Sequence, residues 1–157
     1  MKLAICAAAL LALAGNPALA QLASRPALTL AAAKKIAAAA EAEALKNQWN
    51  VVIAILDEGG HLIYLARMDD TQIGSVEVAI AKAASAVKFK RPTKAFEETL
   101  ASGRQGVLKL PGAIPVEGGL PLIAQDRVIG AIGVSGVTAA QDGQIAAAGA
   151  AELARMK

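Results

Sequence analysis

Two β-branched apolar runs, each doubling back through a short polar turn, limit the folds open to this chain more than any other feature. Val51 to Leu56 leads into Asp57-Glu58-Gly59-Gly60 and resumes at His61 to Met68, and Leu120 to Gln125 turns around Asp126-Arg127 into Val128 to Ser135. Each reads as a β-hairpin, because Asp and Gly accept turn conformations while Val, Ile and Leu suit a pleated, half-buried surface. Helical stretches surround them. Thr29 is an N-cap for Leu30 to Lys46, and Ser75 to Lys90 carries Val76, Ala79, Ile80, Ala83, Ala84 and Val87 at three- and four-residue intervals. After the break at Arg91-Pro92, Thr93 caps a helix to about Ser102 that Gly103 stops, and Gly106 to Gly119 is loop-rich. Thr138 opens a last helix to Lys157, with Gln141 completing a capping box. Hairpins with helices gathered between them predict an α+β fold, an antiparallel sheet covered by helices, rather than alternating βαβ units.

The N-terminus calls for a different reading. Met1-Lys2, an apolar run from Leu3 to Ala14, Gly15-Asn16-Pro17 and the small-residue ending Ala18-Leu19-Ala20 predict a secretory signal peptide over 1–20, cleaved near Ala20. The run is too short for a membrane span, so a periplasmic or secreted protein with no membrane insertion after cleavage is expected. Residues 21–27 form a short exposed tether and 28–157 one domain. Removing the signal takes away Lys2, leaving 16 − 1 = 15 cations against 13 acids, and the chain's 1 cysteine, Cys6. Disulfides and thiol chemistry are thereby excluded from the mature chain. The 55% hydrophobic content is largely alanine, which buries little area per residue, so a homo-oligomer is expected to reinforce a light core.

Few residues carry recognisable chemistry. His61 is the 1 histidine, which rules out a two-histidine metal site and reads as an exposed strand-end imidazole. Gly133-Val134-Ser135-Gly136 lacks the spacing of a nucleophile elbow. Gly130, Gly133 and Gly136 miss the dinucleotide fingerprint and instead suit close approach of a helix or ligand to the strand. Asp69-Asp70 and Glu97-Glu98 read as turn and solvated-face acids. One charge feature is uneven: Lys82, Lys88, Lys90, Arg91 and Lys94 fall within thirteen residues with no acid among them. They suit either a solvated face or the surroundings of a small carboxylated ligand. With 1 Trp, 1 Tyr and 2 Phe there is no stacking platform for nucleic acid.

Several segments together resemble the GlcG/HbpS-like family: VIAILDEGGHLI at 52–63, RMD at 67–69, AKAASA at 81–86, RPT at 91–93, PVEGGLP at 115–121, and IGAIGVSG at 129–136 with QD at 141–142. The similarity runs from about Leu28 to Leu153. It implies an antiparallel sheet of about five strands with profilin- or PAS-like layering, a homo-oligomer, and binding of haem, with haem-dependent oxidative degradation as the activity if there is one. A membrane sensor is a possible partner, because one branch of the family acts with a sensor kinase. The family's Lys-Ala-x-Thr-Ala helix falls on Lys82 to Ala86, with Ser85 in place of threonine. Ser85 and Thr93 are thus the hydroxyl candidates for contact with a ligand. Haem needs apolar walls for its faces and cations for its propionates, which points to Phe89 with Lys82, Arg91 and Arg67. No axial ligand stands out. The alternatives are a non-enzymatic module for another small carboxylated metabolite and an oligomeric accessory protein to a sensor.

Overall fold

The computed structural model describes residues 24–156. The expected signal peptide and the first part of the tether lie outside these residues. The elements are α1 (Leu30–Lys46), β1 (Val52–Asp57), β2 (Leu62–Arg67), α2 (Ser75–Phe89), α3 (Lys94–Ala101), a 3₁₀ turn (Gln105–Lys109), β3 (Gly119–Ala124), β4 (Arg127–Ser135) and α4 (Ala139–Leu153). Both hairpins form, and their first strand and last strand pair, giving an antiparallel sheet in the order β2-β1-β4-β3. The α+β class holds. The sheet has four strands among the described residues, close to the five expected, and the Pro- and Gly-rich segment at 110–118 runs beside it as a loop.

The two faces of the sheet are covered differently. On one, Ile53, Ile55, Leu122, Ile132 and Val134 meet α1 and α4 through Ile36, Ile145 and the alanines Ala33, Ala37, Ala40 and Ala44. Small residues let the two helices approach closely: a side chain at Gly149 would press on the Ile36 carbonyl and the Ala40 methyl. On the other face, Val52, Ala54, Leu56 and Ala131 meet Ala79, Ala83 and Ala86 of α2. Here α2 lies almost on the backbone of β4, since a Cβ at Gly133 would collide with the Ala79 carbonyl and the Ala83 amide. Gly133 therefore serves the close helix approach expected of it, whereas Gly130 sits against the Leu56 carbonyl and the Leu28 side chain, and Gly136 against Asn50 and Val51.

Local signals account for most boundaries. Thr29 accepts from the Ala32 amide, and Thr138 and Gln141 form the capping box. The second turn sits one residue earlier than expected: Gln125 and Asp126 both hold positive φ (49° and 59°), while Arg127 already pairs with Ala124. That is the two-residue geometry matching the twist of the flanking strands. Helix α4 ends at Leu153 rather than at Lys157. Thr93 precedes α3 but does not cap it; its backbone is helical and its hydroxyl is used elsewhere.

Candidate functional site

Helix α2 turns three of its polar residues inward. Ser75, Lys82 and Ser85 are all buried. Lys82, expected among exposed cations, is 1% exposed, and its Nζ donates to Asp142 Oδ2 at 2.8 Å and to the Val134 carbonyl at 3.0 Å. Asp142 lies in the first turn of α4, and its other oxygen accepts from the Val137 amide at 3.2 Å. Burial pushes the Asp142 carboxyl above its ordinary range, an effect the Lys82 bond and two backbone amides only partly offset. The pair welds α2, β4 and α4 together across the end of the sheet.

The two hydroxyl candidates do similar work. Ser85 Oγ accepts from the Ile114 amide at 3.1 Å, and Thr93 Oγ1 accepts from the Gly119 amide at 2.9 Å while the Thr93 amide donates to the Gly119 carbonyl at 3.0 Å. Glu97, expected on a solvated face, accepts from the Glu117 amide at 2.6 Å, and Lys94 Nζ meets the Glu117 carboxylate at 3.1 Å. These bonds pin Ile114 to α2, Glu117 to α3 and Gly119, where β3 begins, to Thr93 between the two helices, giving backbone groups of this stretch the partners they need. Lys82, Ser85 and Thr93 are thus brought together, facing inward.

The surface candidates gather next to them. At the C-cap of α2, Lys90 takes a left-handed conformation (φ 52°) that turns the chain away from the helix axis. Arg91 is then laid over the ring of Phe96, with its guanidinium carbon 5.6 Å from the centroid, and its Nε donates to the Phe89 carbonyl at 3.3 Å. Phe89 meets Phe96 edge to face at 5.1 Å. Between α3 and the 3₁₀ turn, Arg91, Phe96, Thr99, Arg104, Gly106, Val107 and Leu110 line an open cleft of about 340 Å³. Arg67 is not part of it. It pairs in register with Val52, as Ser135 does, and lines a separate cleft with Glu41, Asp69 and Asp70. Lys88 and Lys90 are exposed near the first hairpin turn and the second, respectively. His61 is exposed, as expected, beside Asp57 at 3.3 Å.

Two contributors escaped the sequence reading. Arg104 stands alone after a helix-stopping glycine and carries no pattern, and Asp142 lies inside a matched motif, but its partner, sixty positions away, is visible only in the fold. The cleft sets two cations, Arg91 and Arg104, beside an apolar lining of which Leu110 is exposed while Phe96 and Val107 are mostly buried, a surface suited to a small anionic ligand. It has no histidine, tyrosine, methionine or cysteine among its lining residues to bind iron axially, and no group of three or more metal-ligating side chains occurs among the described residues.

Comparison with known proteins agrees with this architecture. The family described as haem degrading protein HbpS-like matches residues 28–151. Protein GlcG of Escherichia coli (strain K12) is 42% identical over 103 residues, 66% of this chain and 77% of that protein. The crystal structure of HbpS superposes with a TM-score of 0.77 at 35% identity, covering 85% of this chain and 94% of that one. The structure of a PduOC haem complex does so with a TM-score of 0.74 at 29% identity, over 80% and 94%.

Proposed function

We propose that this chain, which belongs to the HbpS-like family of haem degrading proteins, binds haem in the cleft between α3 and the 3₁₀ turn. The observation that carries this reading is the placement of two arginines on an aromatic and aliphatic wall. Arg91, fixed over Phe96 and tied to the Phe89 carbonyl, would hold one propionate and Arg104 the other, with Leu110 offering apolar contact to the ring. Bound haem iron supplies oxygen activation and electron transfer; the protein's part is to hold and orient the ring. Ser85 and Thr93 fix the amides of Ile114 and Gly119, and Lys82 ties α2 to β4 and α4, so none of the three lines the cleft and their contribution to binding is indirect.

The lack of an axial ligand in the lining favours a second reading, in which the same two arginines hold another small dicarboxylate. A Soret titration decides between them. A saturable shift with ferric haem is expected, weakened about tenfold by Arg91→Ala and again by Arg104→Ala. The dimethyl ester of haem, which lacks the propionate charges, is expected to bind wild type no better than it binds the double variant. Absence of any saturable shift at micromolar haem overturns the haem reading.

In this proposal the protein is exported and works outside the cytoplasm, as a homo-oligomer and with a membrane sensor as one candidate partner. N-terminal sequencing of protein recovered from the periplasm or medium is expected to begin at Gln21.

A further inference from the structure

Two stretches of the chain, 78–96 and 99–116, contain no acid, and the fold lays the end of one against the other. The Lys88 ammonium stands 4.0 Å from where a Cβ on Gly112 would sit, and Arg91 and Arg104 line the same cleft. Some cations of these stretches are already engaged: Lys82 is buried, Lys94 meets Glu117, and Lys90 shares its surroundings with Glu58 and Asp126. Lys88, Arg91, Arg104 and Lys109 are left, all exposed and in none of the ion pairs of the described residues. Of the two acids between the stretches, Glu97 is committed to the Glu117 amide, which leaves Glu98 alone to offset them.

Apolar side chains stand among these cations. Leu108 is 57% and Leu110 43% exposed, one on each side of Lys109, and Val116 is 41% exposed. Val107 is buried and anchors the 3₁₀ turn from beneath, so the leucines are held outward on a short, fixed element. Apolar tips ringed by unpaired cations match the boundary of an anionic bilayer, where acyl chains receive the leucines and phosphates receive the ammonium and guanidinium groups. A protein partner fits less well. Three aliphatic side chains offer far less than the roughly 800 Å² per partner that a stable protein interface buries, whereas a bilayer needs no complementary outline.

We propose that the 3₁₀ turn and the C-terminal end of α2 dock this protein on a membrane of anionic phospholipid, with Leu108 and Leu110 at the acyl boundary and Lys88, Arg91, Arg104 and Lys109 among the phosphates. The protein lies on the bilayer, and no helix among the described residues is long and apolar enough to cross one. The inference goes beyond haem binding and does not depend on it, because Lys88, Leu108 and Lys109 lie outside the cleft lining.

Partition of the protein, as isolated from cells, onto sedimented vesicles tests it. Vesicles of mixed phosphatidylglycerol and phosphatidylcholine are expected to bind it at least tenfold more tightly than phosphatidylcholine alone. Raising salt from about 0.1 M to about 1 M, which shortens the screening length from about 10 Å to about 3 Å, is expected to erase that preference. Lys88→Gln and Lys109→Gln are each expected to weaken partition about fivefold, and Leu108→Ser about tenfold. All three side chains are exposed, so the urea midpoint and the haem affinity are expected to stay at wild-type values. Equal binding to both vesicles, binding to neither, or a Leu108→Ser Lys109→Gln double variant that partitions like wild type overturns the proposal. Displacement by millimolar soluble glycerol phosphate also overturns it, since a small-anion site then accounts for the binding. A wild type that prefers the anionic vesicles but shows no Soret shift supports this surface while overturning the haem reading.

Discussion

The two faces of the sheet are held by different physics. Under α1 and α4 the contacts are aliphatic, with Ile36, Ile53, Ile55, Ile132 and Ile145 interdigitating, and stability there scales with the apolar area removed from water. Under α2 the side chains are small, the backbones nearly touch at Gly133, and the layer is tied by buried polar groups, above all Lys82 and Asp142. The first arrangement tolerates modest loss of volume. The second depends on fixed partners, because a buried polar group deprived of its bond costs more than the bond contributes when made.

That contrast can be broken most decisively at Lys82. Lys82→Met leaves Asp142 buried without its counter-charge and is expected to cost about 3–5 kcal/mol in urea unfolding. Adding Asp142→Asn to it should recover part of the loss; a single variant as stable as wild type would place the α2 layer in the same class as the aliphatic one. Thr93→Val keeps the shape but abandons the Gly119 amide, with an expected cost of about 1–3 kcal/mol and faster hydrogen exchange at Gly119. On the opposite face, Ile145→Val removes one methylene from a fully buried side chain and is expected to cost only about 0.5–1.5 kcal/mol. A larger loss there than at Thr93 would reverse the ranking.

The smallest effect is a pH effect outside both layers. The His61 amide, with the Gly59 amide and the nearby imidazole, holds the Asp57 carboxyl below its ordinary value of 3.8. Its contribution is complete above that value and is lost as pH falls through the depressed native one. Protection of the Gly59 and His61 amides, taken as exchange relative to the intrinsic rate at each pH, is therefore expected to fall in acid before either face of the sheet responds.

The parts of the fold that follow from period and turn chemistry were legible in the sequence. The hairpins rest on alternation of apolar runs with Asp and Gly, and the capping box at Thr138 is local to four residues. What eluded it needed knowledge of what lies opposite. The hydroxyl of Thr93 fits an N-cap equally well until Gly119 is brought against it, and Lys82 looks like one more surface cation until α4 supplies Asp142. Periodicity in α2 located both the helix and its core-facing side, since Ala79, Ala83 and Val87 are buried and Val76, Ile80 and Ala84 pack against the same cluster, but it gave no sign that Ser75, Lys82 and Ser85 are buried too. At the cleft, Arg91 and the neighbouring Phe89 were visible in a basic run, whereas Arg104 joined them only through the 3₁₀ turn.

The order β2-β1-β4-β3 also governs the route by which the chain folds. Each hairpin closes locally, but β1, whose residues Val52 to Leu56 are all fully buried in the finished sheet, finds its central neighbour only after α2, α3 and β3 have been made. Closing so long a loop is slow, and until β4 arrives the most aliphatic strand presents an open edge. Nascent or truncated chains ending before Arg127 are therefore the aggregation-prone species of this protein, and a chaperone holding the first hairpin would act at the point of greatest exposure.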